Sequence, residues 1–183
     1  MALSDRVAQA LIHYDNKKYD SCLLELCTAV ELTAKKKWPQ DNQVGSRFKA
    51  FFHEYRHFII FGAFGWRMVP FDDLKISEAD ATLAKLLYNR MRTAVVHDGT
   101  IDDGLFLVDE GIVIADRFGI GREFILALII AVVGDPVNSG EQFSVPVRSL
   151  QIGAVPIPLV DAWGQFPALD QWLKAQAKSR KNS

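Results

Sequence analysis

A run of ten apolar residues from Phe124 to Val133 constrains the fold of this chain more than any other feature. A helix that is apolar on every side is stable in water only when other elements cover all of it. The run is about half as long as the roughly 20 residues that a membrane-spanning helix needs. The sequence therefore predicts a helix over Gly121 to Val133 at the centre of a folded domain, ended by Gly134-Asp-Pro136.

The rest of the chain is large enough to cover that helix. With 183 residues, of which 49% are hydrophobic and 23% charged, the chain can form one well-buried core and is too short for two. We therefore expect a single domain over residues 1–183, without internal repeats or linkers.

The net charge, the N-terminal sequence and the cysteines limit the partners and the cellular location that we expect for this protein. A net charge of −1 lacks the overall basic character of proteins that hold long nucleic acids by charge alone, so any RNA contact must be local. Residues 1–6 contain no apolar leader. Cys22 and Cys27 lie five apart on one predicted helix, where they are poorly oriented for a disulfide. We expect a cytoplasmic protein without membrane contact.

Three amphipathic helices are predicted in the first third of the chain. The first covers Ser4 to Tyr14, and the second begins after Asp15-Asn16 and ends with Lys35-Lys36-Lys37, which we interpret as a solvated helix end rather than a nucleic-acid contact. The third covers Gln43 to Phe61 and carries a mostly aromatic stripe at helical spacing, formed by Val44, Phe48, Phe51, Phe52, Tyr55, Phe58 and Ile59. This stripe is wider than one partner helix needs, so it predicts a core face and also a surface for a homodimer.

A further helix is predicted from Ser77 to Gly99. Ser77 and Asp80 form a capping-box pair at its start, and Gly99 ends it. One side of this helix faces the core through apolar residues at spacings of three and four, which are Leu83, Leu87, Met91, Ala94 and Val95.

The C-terminal half adds β structure. Leu105–Val108 and Ile112–Ala115 flank Asp109-Glu-Gly111 and predict a β-hairpin, whereas Phe118–Arg122 is interpreted as a loop. Residues 143–160, with three prolines, are expected to be extended and edge-like. A last helix is predicted from Pro167 to Lys178. The fold class is thus mainly α, a helical bundle over residues 4–99, on which residues 104–183 pack as a small hairpin, a buried helix, an extended segment and a final helix.

The predicted central helix also carries the residues best suited to chemistry, Arg92 and His97. His97 lies in the last turn, where the helix C-terminus favours an imidazolium, and histidine titrates nearest to neutral pH. Arg92 offers a planar cation that can bind a phosphate through two hydrogen bonds. In a regular helix the two side chains are about 140° apart, so one site needs an unwound turn or two helix ends. Arg90, by contrast, lies within about 20° of His97.

The segment Arg92-Thr-Ala-Val-Val-His97 resembles the R-x4-H form of the motif of the HEPN superfamily, small helical domains often found in prokaryotic RNA-cleaving toxins and defence proteins. The helices over Cys22–Lys36 and Leu87–Arg92 are similar to helices of that superfamily in type and order. The resemblance covers residues 17–99 and implies a HEPN-like bundle that is a metal-independent endoribonuclease, with Arg92 and His97 as catalytic residues. It also implies RNA as a substrate and an antitoxin or neighbouring protein as a partner.

Five further residues are candidate auxiliary groups. Thr93, which stands where many HEPN members carry a more polar residue, and Arg90 and Asp98 flank the motif. His53 and His57 lie on the predicted third helix in His53-Glu-Tyr-Arg-His57, which also matches the zinc-peptidase pattern H-E-x-x-H.

A zinc metallopeptidase is therefore a less favoured alternative. The cation of Arg56 lies between the two histidines and opposes a metal ion, and only Glu78 and His97 could supply a third ligand. A second alternative to the nuclease is a non-catalytic HEPN-like binding or assembly module. We expect no metal and no cofactor.

Overall fold

The computed structural model of the protein describes residues 2–66, 85, 88–89, 105–109, 111–114, 118–152 and 155–181. These residues are mainly helical, as predicted. The described helices are α1 Leu3–Asp15, α2 Tyr19–Lys37, α3 Val44–Ala63, α4 Glu123–Gly134 and α5 Phe166–Lys181.

Helix α4 occupies the centre of the molecule, as its composition predicts. Every residue from Phe124 to Gly134 is buried, and α2, α3 and α5 pack around it. Gly62 of α3 allows the closest approach, because a Cβ at this position would lie 2.4 Å from the Cβ of Ala127. The prediction placed the start of this helix at Gly121, whereas it begins at Glu123 after a strand.

The aromatic face of α3 lies inside the single chain. Phe48, Phe51, Phe52, Tyr55 and Phe58 are each at most 3% exposed. The prediction that this face forms a homodimer surface is therefore wrong, because α2 and α4 cover it and Phe166 of α5 packs on Tyr55 and Phe58. The width of the stripe reflects contact with several helices of the same chain.

A three-stranded sheet follows in the chain order β1 Leu105–Val108, β2 Ile112–Ile114 and β3 Phe118–Gly121. Its spatial order is β1-β3-β2, with β3 parallel to β1 and antiparallel to β2. The predicted hairpin between β1 and β2 is wrong, since β3 lies between them. The predicted loop over Phe118–Arg122 is wrong for the same reason, since residues 118–121 form the central strand.

Two glycines allow this arrangement. Gly111, with φ of +93°, donates its N–H to the carbonyl oxygen of Ala63 at 2.6 Å, which fixes the turn after β1 on the end of α3. A Cβ at Gly121 would lie 2.4 Å from the same oxygen, so β3 fits there only with glycine. The two-residue alternation of Phe-Gly-Ile-Gly is a strand pattern, and Ile120 is 1% exposed.

A second sheet lies within the extended segment, as antiparallel strands β4 Leu150–Ile152 and β5 Val155–Ile157. Leu150, Ile152 and Ile157 are buried, whereas Gln151 points to solvent. Pro156 has no N–H to donate and is tolerated because a two-stranded sheet has only edge strands. The prediction of extended, edge-like structure is confirmed here.

Both cysteines have the state that the sequence predicts. Cys22 and Cys27 are buried free thiols, and burial raises the pKa of Cys22 from 9.0 to about 12.

Among the described residues, no helix combines the length and apolar character required to span a bilayer.

Candidate functional site

The residues of the predicted R-x4-H motif lie outside the part of the chain that the structure describes. Arg90, Arg92, Thr93, His97 and Asp98 lie outside the described residues. In the segment predicted as a helix from residue 77 to 99, Lys85 is α-helical and Tyr88–Asn89 belong to a π-helical turn. Such turns occur mostly as single bulges in α helices and frequently at functional sites.

Tyr88, which lies before the motif in the sequence, packs against α3. Its ring lies 5.7 Å from that of Phe48 in an edge-on arrangement, and the Nζ of Lys49 lies 5.9 Å from its centroid. A Cβ at Gly45 would lie 2.9 Å from the Cζ of Tyr88. Tyr88, four residues before Arg92, is thus seated on the first two turns of α3.

The exposed side of α3 carries a continuous basic surface that begins beside Tyr88. We call it the basic stripe and define it as Lys49, His53, Arg56 and His57. At 100° per residue these four positions fall within about 100° of one another. Lys49, His53 and His57 are exposed, and Arg56 is half-buried.

Arg56 holds both histidines of the basic stripe. Its Nη1 lies 3.0 Å from Nδ1 and 3.1 Å from Nε2 of His53, and its Nε donates to Nε2 of His57 at 3.3 Å. The close approach of one guanidinium nitrogen to both ring nitrogens of His53 is typical of a cation lying across the imidazole face. The three side chains therefore form one packed polar group.

This geometry gives little support to a zinc site of the H-E-x-x-H type. A cation lies where the metal would be held, and Glu54 is turned to Lys37, with its Oε1 accepting at 2.5 Å. Among the described residues, no group of three or more His, Cys, Asp or Glu side chains is arranged to hold a metal ion. Glu78 and His97, the candidate third ligands, are outside them.

A second polar cluster, which sequence reasoning missed, lies where α2, α3 and α4 meet. We call it the Asp135 cluster and define it as Lys37, Glu54, Tyr55 and Asp135. The hydroxyl of Tyr55 donates to Oδ2 of Asp135 at 2.8 Å, and Nζ of Lys37 donates to the same oxygen at 3.1 Å. Oδ1 of Asp135 accepts from the N–H of Val137 at 3.0 Å.

The members of the Asp135 cluster other than exposed Glu54 are largely buried. Asp135 is fully buried, and the side chain of Lys37 is 19% exposed. The pKa of Tyr55 is raised above its ordinary value, first by burial and then by the hydrogen bond to the Asp135 carboxylate. Because the Tyr55 hydroxyl, Lys37 Nζ and both oxygens of Asp135 have hydrogen-bond partners, the cluster binds elements of the fold together.

The lysine run at the end of α2 is therefore only partly solvated. Lys35 and Lys36 are exposed, as predicted, and Nζ of Lys36 bonds Glu141 at 2.5 Å. Lys37 turns inward to Asp135 instead. The sequence signal that pointed to a structural role for Asp135 is Asp135-Pro136 directly after an apolar helix, because an Asp before Pro commonly caps the following turn.

A shallow groove on the surface has no side chain suited to acid–base catalysis. It is lined by residues 142–146 and by Val160, and has a volume of about 500 Å³. None of these side chains is ionisable. The groove therefore has no group that could act as an acid, a base or a metal ligand.

Comparison with known proteins assigns the chain to a family without assigning it an activity. Residues 2–182 match the Rv1289 family, a family of unknown function, and the chain therefore belongs to that family. No curated protein and no solved structure matches the chain. Nothing in these comparisons indicates the HEPN superfamily or its R-x4-H motif, so that resemblance stays a prediction.

Proposed function

We propose that this member of the Rv1289 family is a metal-independent endoribonuclease whose reactive groups are Arg92 and His97. The observation that supports the proposal best is the packing of Tyr88 against Phe48, 5.7 Å between ring centroids. Tyr88, which precedes Arg92 by four residues in the sequence, lies against α3 beside Lys49. A π-helical turn immediately before that segment adds support, since such turns are frequent at functional sites.

The proposed chemistry uses the neighbouring ribose as the nucleophile. The 2′-oxygen forms a bond to phosphorus, and the bond from phosphorus to the 5′-oxygen of the next nucleotide breaks. His97 takes the 2′-hydroxyl proton or gives a proton to the leaving 5′-oxygen, as a general base or acid. Arg92 stabilises the charge that develops on the phosphoryl oxygens. The products are a 2′,3′-cyclic phosphate and a 5′-hydroxyl.

A symmetric homodimer would complete such a site. Arg92 and His97 point about 140° apart on a regular helix, so two helix ends from two subunits can bring them to one phosphate. The aromatic face of α3 is buried in the single chain and is not available, which leaves the segment around the motif as the dimer contact. Sedimentation at micromolar concentration tests this, and a clean monomer would contradict the composite site.

Three neighbours of the motif and two residues of α3 are proposed to assist. Arg90, Thr93 and Asp98 adjoin Arg92 and His97 in the sequence, and His53 and His57 belong to the basic stripe. An antitoxin or neighbouring protein that covers this surface would hold the activity latent, which is the partner that the HEPN resemblance implies.

Cleavage of single-stranded RNA in EDTA tests the proposal, with the cyclic phosphate end identified by mass spectrometry. We expect His97→Ala to lower the cleavage rate by about 10² to 10⁴, the usual contribution of a general acid or base. Arg92→Ala should cost a comparable factor, and Arg92→Lys should recover little because an ammonium lacks the bidentate fork. Arg90→Ala is the matched control, and because Arg90 is proposed only to assist, its loss of rate should be clearly smaller than that of Arg92→Ala.

Three results would contradict this assignment. If the folded parent cleaves no RNA, or if His97→Ala cleaves equally well, the catalytic proposal fails and a non-catalytic binding module remains. If Arg90→Ala is as damaging as Arg92→Ala, the residue on the same face as His97 is the reactive arginine. One zinc ion per chain that is lost in His57→Ala would instead favour the metallopeptidase.

A further inference from the structure

Arg47 is a buried cation in the first turns of α3. The residue is 6% exposed. Its Nη1 donates to the backbone carbonyl oxygen of Asp41, whereas its Nε is buried and has no hydrogen-bond acceptor. Within the part of the chain that the structure describes, no carboxylate forms an ion pair with this guanidinium. Arg47 therefore carries a buried charge without a counter-charge.

Asp135 shows how the same fold treats its other buried charge. Among the described residues, Arg47 and Asp135 are the two buried residues that carry a charge. Asp135 accepts hydrogen bonds from Lys37, Tyr55 and the N–H of Val137. Buried charges are normally paired in this way, because an unpaired charge away from water is costly. The missing partner of Arg47 is thus an anion from outside the described chain.

The guanidinium of Arg47 lies at the positive end of a helix. Helix α3 begins at Val44, its N-cap residue Gln43 makes no capping bond through its side chain, and its first turn has no acidic residue. The first N–H groups of a helix lack partners within the helix, and together with the helix dipole they favour an anion. Arg47 reaches back to this end, since Asp41 precedes the N-cap by two residues.

We propose that Arg47 and the first turn of α3 bind a phosphate group. The guanidinium and the backbone N–H groups offer donors in different directions, which suits the tetrahedral oxygens of phosphate. Gln43 and Ser46 are exposed, so solvent reaches this end of the helix. The inference goes beyond the proposed nuclease, because neither Arg92 nor His97 takes part in it.

Asp41 is the group that opposes an anion at this end of α3. Its carboxylate bonds the hydroxyl of Ser46 and accepts from the N–H of Gln43 at 2.8 Å, and these bonds lower its pKa below the ordinary value. The charge of Arg47 is the smallest of the causes that shift this pKa. The carboxylate of Asp41 therefore serves Ser46 and Gln43 first and compensates Arg47 little.

Titration of the full chain with inorganic phosphate tests the proposal, followed by amide NMR spectroscopy at constant ionic strength. We expect saturable shifts of the amide signals of Val44, Gly45 and Ser46, and none with chloride. Arg47→Lys should bind phosphate about tenfold more weakly, because an ammonium lacks the planar fork of donors. His97→Ala should bind like the parent protein, so a failed nuclease proposal leaves this result unchanged.

Asp41→Asn gives the sharpest test, because we expect it to bind phosphate more tightly than the parent. An asparagine can keep the bond to the N–H of Gln43, while the negative charge that repels the ligand is lost. A purely structural Arg47 predicts no such gain. Asp109→Asn is the matched control, since it removes a carboxylate that is 91% exposed at the other end of α3, and it should bind like the parent.

Adenosine 5′-monophosphate and adenosine identify the source of the phosphate group. Equal affinity for the nucleotide and inorganic phosphate would assign the site to the phosphate group alone. Tighter binding of the nucleotide, with no binding of adenosine, would assign it to a phosphate ester.

Three results would overturn the inference. They are no saturable shift in the parent protein, equal affinity for acetate, or an Asp41→Asn protein that is folded but binds no more tightly. Circular dichroism establishes that each variant is folded. If Arg47→Lys does not fold, the titrations of the parent and of Asp41→Asn still decide the question.

Discussion

Helix α3 contributes residues to two polar clusters that differ in their burial and in their charge. The Asp135 cluster contains Tyr55, which is 3% exposed, and the fully buried Asp135. The basic stripe contains Lys49, His53 and His57, which are exposed. The first cluster pairs each charge with an opposite one, whereas the second gathers charges of one sign.

This difference has physical consequences for the stability of the protein. A buried carboxylate must be paired, because an unpaired charge away from water costs several kcal/mol. An exposed cation needs no partner and contributes little to stability. Substitutions should therefore lower stability more in the first cluster than in the second.

The largest effect on stability is expected for Asp135→Ala. It removes the acceptor for Tyr55 and Lys37 and the cap of the turn at Val137, and leaves a half-buried ammonium with Glu54 as its remaining carboxylate. Breaking a buried ion pair from one side costs about 3–5 kcal/mol. Urea unfolding followed by circular dichroism measures the loss.

The matched control is Asp109→Ala. Asp109 also pairs with a cation, Arg122, but its side chain is 91% exposed. Exposed ion pairs contribute about 0–1 kcal/mol. Equal destabilisation by the two variants would contradict the difference between buried and exposed pairs.

An intermediate effect is expected for Tyr55→Phe. The substitution keeps the ring among Phe51 and Phe166 and removes only the hydroxyl that donates to Asp135. One hydrogen bond to a charged group contributes about 1.5–3 kcal/mol. Asp135 keeps its bonds from Lys37 and Val137, so the loss should be smaller than for Asp135→Ala.

The same variant should change the response to alkali. The pKa of Tyr55 is raised above 10.0 in the folded chain, so the unfolded chain releases its proton first. The resulting stability is fully present below pH 10 and is lost as the pH rises above it. Half-buried Tyr14 and buried Cys22 act in the same direction, Cys22 between pH 9.0 and about 12. Between pH 10 and 11, Tyr55→Phe should lose up to about 1.4 kcal/mol less stability than the parent. Equal slopes would show that Tyr55 does not titrate in this way.

The helices could be predicted because each has its own local signal. Helix α4 is apolar on all sides, and α3 repeats aromatic residues at helical spacing, so position and burial follow from the sequence alone. The order β1-β3-β2 could not be predicted, because it depends on Gly111 and Gly121 meeting the carbonyl of Ala63, about 50 residues earlier in the chain. Sequence adjacency favoured a hairpin between β1 and β2 instead.

The candidate site likewise has features that the sequence predicts and contacts that it does not predict. The exposure of His53 and His57 follows from the pattern of α3, but their contacts with Arg56 depend on rotamers that no spacing specifies. Lys37 looked like the solvated end of a lysine run, and its bond to Asp135 joins residues 98 positions apart. The proposed roles of Arg92 and His97 depend on the motif and on the packing of Tyr88, which precedes Arg92 by four residues.

The smallest effect on stability is expected for Arg56→Gln, the complement of the first prediction. Arg56 contacts His53 and His57 on its own helix, and a half-exposed glutamine can lie along the same helix face with similar helix propensity. Surface substitutions of this kind change the free energy of unfolding by less than about 0.5 kcal/mol. Urea unfolding should therefore give the parent value. A loss above 1 kcal/mol would assign Arg56 a structural role like that of Asp135, and the basic stripe would then be a second fold-stabilising cluster.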